Sequence, residues 1–541
     1  MLQDNPNKQL NLFLILAAML FLPAYLINLG MVQMIRDEAI RALVSFEMIH
    51  SGDYITPTIS GVPYLKKPPL FNWILALFFG TTGSYSEIVM RLPVILSIIG
   101  FAITIYYFTK KEFDKRVALI NALAFATYGR IIFYESLHGL IDVTFSWLTY
   151  SFFMISWQLF RKEKFLTLFL VAYLITGVSF LLKGLPSLVF TAATLLVLFI
   201  QGKKFKLLFN WRHFTGIFLL ILIVGGYYLL YFARNPIQPG QMWEVLSGEV
   251  TRRTIVRFGI WKTMLNLVTY PFENIYHFLP WSFLVLTLLP KGSLRKVRQQ
   301  PFLLYCMLLF IVNIIPYWTS PEGYPRYILM LVPLAMTIFL VLYFGYRDQN
   351  HPVTGWIDAL LAVILLIGTF SGIGFLLHPA TKDLPGILWV SIMLFLALGT
   401  ITWLFRKQVR YRLFWMAIGM LVFRIGFDLS VIPSWKPTHP AVKIKETAEK
   451  VAAKTAGRPL YIYWNPAYPA DPYFQYRYNN EIFTWYLSVN LWQIIKIETI
   501  PVHGRYYLAN PSQLKGKQFN LVEKLEPPLQ VAVYLIEFNS Q

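Results

Sequence analysis

The chain of 541 residues is 56% hydrophobic, 17% aromatic and only 14% charged, which excludes an ordinary soluble globular protein, whose composition runs nearer half apolar and a quarter charged. A net charge of +21 would suit a nucleic-acid binder, but the Lys and Arg residues fall in short loops between apolar runs, and that pattern reads as membrane topology rather than as a binding stripe. The single cysteine, Cys306, lies in an apolar run, so no disulfide can form within the chain.

A hydrocarbon core about 30 Å thick takes roughly 20 apolar residues per helical crossing. Crossings are expected near 10–29, 88–108, 117–134, 141–160, 165–182, 185–201, 213–233, 272–290, 301–318, 326–345, 355–377, 386–405 and 412–432. No small-x-small cleavage site follows the first run, which reads as a retained helix. With the N-terminus inside, Lys8, Lys110, Lys111, Arg116, Arg161, Lys204, Arg295, Arg347, Arg406 and Arg410 collect on one side. The short turns of the other side carry only Lys183, Arg326 and Lys382, so the positive-inside rule makes the first side cytoplasmic. Residues 1–433 form the membrane domain. Residues 434–541, soluble in composition, then lie outside, where a helix over 442–454 and strands over 459–464 and 531–538 predict a small α/β domain.

Two outer loops, 30–87 and 234–271, are longer than a turn requires. The first opens with Arg36, Asp37 and Glu38 and continues as an amphipathic helix with Ile40, Leu43, Val44 and Met48 on one face, suited to the interface plane. Asp37 is placed to cap that helix. In the run YLKKPPLFNW, Lys66 and Lys67 either snorkel to lipid headgroups beside Tyr64 and Trp73 or bind phosphate. An acid pair and a lysine pair on one loop are what a phosphate-linked donor and a hydroxyl acceptor need. The run YESLHGLID gathers Glu135, His138 and Asp142 at the outer ends of two crossings, where ionisable groups are costly and therefore paired or functional. A metal site built from these three is an alternative, although the spacing matches no known metal motif. Lys183 stands in an outer turn, LLKGLP, as a snorkel or a ligand. In the second long loop Arg252 and Arg253 can grip phosphate bidentately or face headgroups.

In order along the chain, RDEA (36–39), SGDY (51–54), GVPYLKKPPLFNW (61–73), MRLP (90–93), Asp142, LLKGLP (181–186), FLPW (278–281) and YPRYILMLVP (324–333) resemble the bacterial aminoarabinose transferase family. These are GT-C-type glycosyltransferases related to the dolichyl-phosphate-mannose:protein mannosyltransferases. The resemblance implies an all-α polytopic bundle of thirteen transmembrane helices, interfacial helices in the first periplasmic loop and a small periplasmic C-terminal α/β domain, in a bacterial inner membrane. It implies an undecaprenyl-phosphate-linked sugar as donor, aminoarabinose or a related pentose or hexose, and a lipid acceptor such as lipid A, or a protein.

Position by position, Asp37 matches the family's first-loop acid, Lys67 the lysine before its Pro-Pro pair, Asp142 its second acid and Lys183 the lysine of its Lys-Gly-Pro run. Two departures stand out: Leu185 separates Gly184 from Pro186, and Lys66 replaces the usual Glu. The expected catalytic residues are thus Asp37, Glu38 and Asp142. Lys66, Lys67, Lys183, Arg252 and Arg253 are expected on the donor phosphate, and Tyr64, His138, Tyr324 and Arg326 on substrate. Because phosphate leaves readily, no general acid is required; no cofactor is assigned, with a divalent metal as the alternative. A transporter of lipid-linked sugar is the competing reading, but it calls for an inverted repeat with broken midplane helices, and the polar residues here gather at one face.

Overall fold

The structure, a computed structural model, describes residues 6–236, 255–435, 440–466, 481–525 and 533–539. Arg252 and Arg253 lie outside these residues. Among the described residues nine helices are long and apolar enough to cross a membrane: Lys8–Met31, Glu87–Glu112, Lys115–Phe133, Phe165–Lys183, Trp211–Arg234, Pro301–Trp318, Pro352–Leu377, Ile387–Lys407 and Val409–Trp435. Each coincides with an expected crossing.

The other four expected crossings differ for identifiable reasons. Ile141–Arg161 is helical, but Asp142, Thr144, Ser146, Thr149, Ser151, Ser156 and Gln158 interrupt its apolar run, and many of these side chains are buried rather than turned outward. Pro186–Gln201 is only 16 residues long. The 326–345 stretch starts as a 3-10 turn, Pro325–Ile328, and becomes α-helical only from Val332 to Asp348. The 272–290 stretch is not one helix at all: Ile255–His277 ends, and the 3-10 helix Trp281–Leu288 begins after Pro280, which has no N–H to continue an α ladder.

The chain divides into two compact units. The first comprises Met1–Leu29, Val94–Leu229 and Ile237–Ser434 and holds most of the apolar helices. Within it Ile141–Arg161 packs on Phe165–Lys183 and Pro186–Gln201, and Pro352–Leu377 packs on Ile387–Lys407. Hydrocarbon offers no water to polar atoms, so they pair across helices. Ser97 bonds Thr144 at 2.8 Å, Thr176 bonds Thr191 at 2.6 Å, and Asn121 donates to Thr337 at 2.8 Å.

The second unit comprises Gly30–Pro93, Leu230–Pro236 and Trp435–Gln541, joining the first outer loop to the tail. Its helix Arg36–Ser51 packs on Leu70–Thr82 and Glu481–Leu491. Ile35, not Asp37, occupies the N-cap position. Glu38 at the third helical position reaches back to accept the Ile35 N–H at 3.1 Å, and that bond fixes the start two residues earlier than the sequence suggests. At the other end Gly52, at φ 72°, takes the left-handed conformation that closes the helix, its N–H donating to Met48 O. Burial extends beyond the apolar face to Glu38, Arg41, Ser45 and Glu47.

Glu47 organises the following hairpin, β1 (Thr58–Ile59) and β2 (Val62–Pro63), by accepting from Thr58 Oγ1 at 2.6 Å, Ser60 N–H at 2.6 Å and Gly61 N–H at 3.1 Å. The tail carries the expected α/β fold. Helices Pro440–Thr455 and Glu481–Leu491 accompany a five-stranded sheet of β3 (Leu460–Tyr463), β4 (Ile497–Glu498), β5 (Tyr506–Ala509), β6 (Phe519–Leu525) and β7 (Val533–Phe538), ordered β4-β3-β5-β7-β6. β3 pairs parallel with β4 and β5, and the remaining pairs are antiparallel. Tyr463, Tyr507, Leu514, Ile536 and Phe538 form its core.

Candidate active site

In the first unit, helix starts and ends bring charged side chains together. Asp142 is the second residue of Ile141–Arg161, where the helix dipole favours an anion. Lys183 is the last residue of Phe165–Lys183, where the dipole favours a cation. Gly184, at φ 82° in a region that side chains rarely enter, then turns the chain into the helix starting at Pro186. Lys183 Nζ donates to Asp142 Oδ1 at 2.6 Å, and Arg326 Nε lies 3.8 Å from Asp142 Oδ2. The lysine head also faces the rings of Tyr327 at 4.5 Å and Phe145 at 4.9 Å, contacts that favour a cation in an apolar setting. Arg326 sits over Tyr324 and Tyr327. Four of the residues singled out in the sequence, Asp142, Lys183, Arg326 and Tyr324, are therefore neighbours.

Glu135 and His138 occupy the connection before Asp142. Glu135 is fully buried and accepts from Arg130 Nε at 2.7 Å through Oε1. Its Oε2 has no hydrogen-bond partner among the described residues. Burial pushes the Glu135 carboxyl up, the Arg130 guanidinium opposes the rise and the Asp142 charge adds to it. His138 stacks edge-on against Tyr134, which lies under Arg130. Among the described residues no three His, Cys, Asp or Glu side chains are grouped to hold a metal. Glu135 and Asp142 face cations instead.

Arg424 supports this connection from below. It pairs with Asp428 at 2.7 Å on its own helix and donates to Ser136 Oγ at 3.2 Å. Arg130 and Arg424 were not singled out in the sequence, yet Arg424 and Asp428 stand four residues apart inside an apolar span, a readable sign of an internal ion pair. Beside Arg130 opens a cavity of about 460 Å³ with Arg130, Tyr134 and His277 among its polar lining and Leu365, Ile367, Leu398, Met416 and Phe423 along its apolar walls.

In the second unit, Glu38 is committed to structure. It is completely buried and accepts from Arg91 Nε at 3.0 Å as well as from the Ile35 N–H. Arg91, of the MRLP motif, was passed over in the sequence. Tyr64 is buried, its hydroxyl accepting from Arg41 at 2.6 Å. Asp37 is exposed in the first helical turn beside Arg36. Arg36 itself grips Glu481 with bonds of 2.6–2.9 Å. Burial pushes the Glu481 carboxyl up, against the pull of Arg36 and, more weakly, of Lys66. Lys66 and Lys67 are half-buried just ahead of the helix Leu70–Thr82.

Likenesses of three kinds, to a family profile, to relatives in sequence and to a solved structure, stand beside this geometry. A family profile described as dolichyl-phosphate-mannose-protein mannosyltransferase matches residues 66–228. An undecaprenyl phosphate-alpha-4-amino-4-deoxy-L-arabinose arabinosyl transferase of Aeromonas hydrophila is 24% identical over 419 residues, 72% of this chain and 71% of that one. The enzyme of the same name from Pseudomonas savastanoi is 35% identical over 119 residues, so the match spans 21% of this chain and 22% of the relative. ArnT from Cupriavidus metallidurans, crystallised with undecaprenyl phosphate, has the same fold over 98% of both chains at 17% identity, with a TM-score of 0.64.

Apolar spans and fold together describe an integral membrane protein with the architecture of a GT-C glycosyltransferase. In sequence and in fold the likenesses are to ArnT-like glycosyltransferases.

Proposed function

We propose that the chain transfers a sugar from a polyprenyl-phosphate carrier to an envelope acceptor on the periplasmic face of the bacterial inner membrane, with inversion at the anomeric carbon. The observation that supports this most directly is Asp142 holding Lys183 and Arg326 at the ends of apolar helices. In the reaction an acceptor oxygen attacks the anomeric carbon, the bond from that carbon to the phosphate oxygen breaks, and polyprenyl phosphate departs with the electron pair. No general acid is required. What must be stabilised is charge growing on the phosphate oxygens, and fixed cations in a partly dry setting do this without reorganising. Lys183 and Arg326 serve as those cations, with Asp142 fixing their positions. Asp37 is the proposed base or orienting group for the acceptor, and Lys66, Lys67, Arg252 and Arg253 are further proposed phosphate ligands. His138, Tyr324 and Tyr64 are the proposed substrate contacts. The cavity beside Arg130, apolar with a cationic end, suits a lipid chain carrying a polar head.

By analogy with the named relatives the donor is undecaprenyl phosphate-α-4-amino-4-deoxy-L-arabinose or a related pentose or hexose, and lipid A is the proposed acceptor. The description of the matching family favours a second reading in which a protein hydroxyl accepts the sugar. Mass spectrometry of lipid A, envelope glycans and exported proteins from a deletion strain separates the two. Loss of a pentose or hexose from lipid A supports the first, loss from a protein supports the second, and no change in any fraction overturns both.

A further inference from the structure

At the opposite end of the first unit's helices lies a second charged cavity, of about 310 Å³, lined by four arginines: Arg116, Arg347, Arg410 and Arg412. That it is the opposite end follows from the chain. Arg116 starts the helix Lys115–Ala126, whereas Asp142 comes after that helix has finished, and Glu112 pairs with Arg161 at the far end of the Asp142 helix.

Loop arginines on this side are expected from topology alone, but topology requires neither a cavity nor a carboxylate to organise them. Asp358 does organise them. It is 4% exposed, accepts from Tyr343 at 2.6 Å, and bridges Arg412 at 2.5 Å to Arg347 through a single oxygen. Two guanidiniums are thereby held side by side, each still about one-fifth exposed. Arg116 lies over the Phe344 ring at 4.0 Å, with Asp114 3.9 Å away, and Arg410 stands exposed at the rim. Three carboxylates, Asp358 on Arg347 and Arg412, Asp348 in the wall and Asp114 beside Arg116, face the four arginines and leave a net positive cavity. Phe344, Leu413 and Phe414 supply apolar walls, and an apolar span begins at Val409, so the cavity sits where headgroups meet hydrocarbon.

We infer that this cavity is a binding site for the phosphate headgroup of an anionic phospholipid, on the membrane face opposite the candidate active site. Paired guanidiniums match phosphate oxygens bidentately, and basic pockets between membrane helices on this side are a recurrent setting for acidic headgroups.

The test uses the full-length chain purified in detergent, with native mass spectrometry reading retention of phosphatidylglycerol against phosphatidylcholine of the same acyl chains. The wild type is expected to prefer phosphatidylglycerol by about tenfold or more, and R116Q/R410Q, which removes two of the four cations and spares the pair on Asp358, is expected to lower that preference by about threefold or more. K291Q/R295Q, basic residues of another loop on the same side, is expected to keep it. R410Q alone, at an exposed site, serves where the double variant does not fold. Equal retention of the two lipids, equal loss in both double variants, or no loss in either overturns the assignment. Inorganic phosphate at millimolar concentration displacing the lipid from the wild type would assign the cavity to a soluble anion and overturn it too.

Discussion

Lys183 and Asp142, 41 residues apart in the chain, meet at 2.6 Å with both side chains at or below one-tenth exposure. Removing one partner of such a pair leaves the other charge buried and uncompensated, which typically costs about 3–5 kcal/mol.

The first prediction concerns that pair. D142N and K183M each lower transfer by about two orders of magnitude or more and lower thermal stability. The double variant regains part of the stability, because neither member of the Lys183–Asp142 pair is left without the other although Arg326 still loses its acid, but none of the transfer. A double-mutant cycle on detergent-purified protein reads both quantities. Wild-type transfer in the stable double variant would remove the pair from the machinery.

A second prediction separates the two acids of the first loop. Asp37 is exposed at the second helical position, so D37N costs little stability, its interaction with the helix dipole being worth about 0.3–1 kcal/mol. As the group that orients or deprotonates the acceptor, its loss lowers transfer about a hundredfold or more with folding intact. E38Q breaks the pair with Arg91 and shows the reverse profile, a large stability loss with transfer falling only as folded protein falls. K67A, read by donor binding, completes the set, and unchanged binding there assigns the phosphate to other cations.

Orientation gives a third prediction. Reporters fused after Arg412 are cytoplasmic and those after Lys443 periplasmic, as the distribution of Lys and Arg demands. Both on one side would invalidate the reading of an outward-facing tail.

Glu47 supplies a pH dependence. Burial pushes its carboxyl above the ordinary value, and the bonds from Thr58, Gly61 and Ser60 only partly offset the rise. The folded state therefore holds the Glu47 proton more tightly than the unfolded chain. Its contribution to stability is fully present below the unfolded value, near 4.5, and is lost as pH rises through the folded one. Thermal unfolding between pH 4 and pH 7 is expected to show the wild type losing stability with rising pH more steeply than E47Q. E47Q itself starts lower, because its amide presents N–H toward the donors that the carboxylate accepted.

Much of this was readable in the sequence. Long apolar runs announced nine spans because hydrocarbon leaves the chain few alternatives to a helix of that length. Asp142, Lys183 and Arg326 stood out as costly charges near apolar runs, but their mutual contact depends on which helix ends meet, and one-dimensional spacing does not carry that. Arg91 and Arg130 lie near the ends of expected crossings, where nothing local distinguishes a buried arginine from a snorkelling one. The capping residue was misplaced because Glu38 serves both the Ile35 N–H and Arg91, and the second partner lies 53 residues away.

The grip of Arg36 on Glu481 joins residues 445 positions apart, and this sets a schedule for biosynthesis. At about 5–20 residues per second, the ribosome takes on the order of 20 to 90 s to reach Glu481 after the first loop has emerged. Through that interval the loop has no tail to pack on. Arg91, made only 53 residues after Glu38, arrives within seconds, so the buried pair can close long before the last fifth of the chain is delivered.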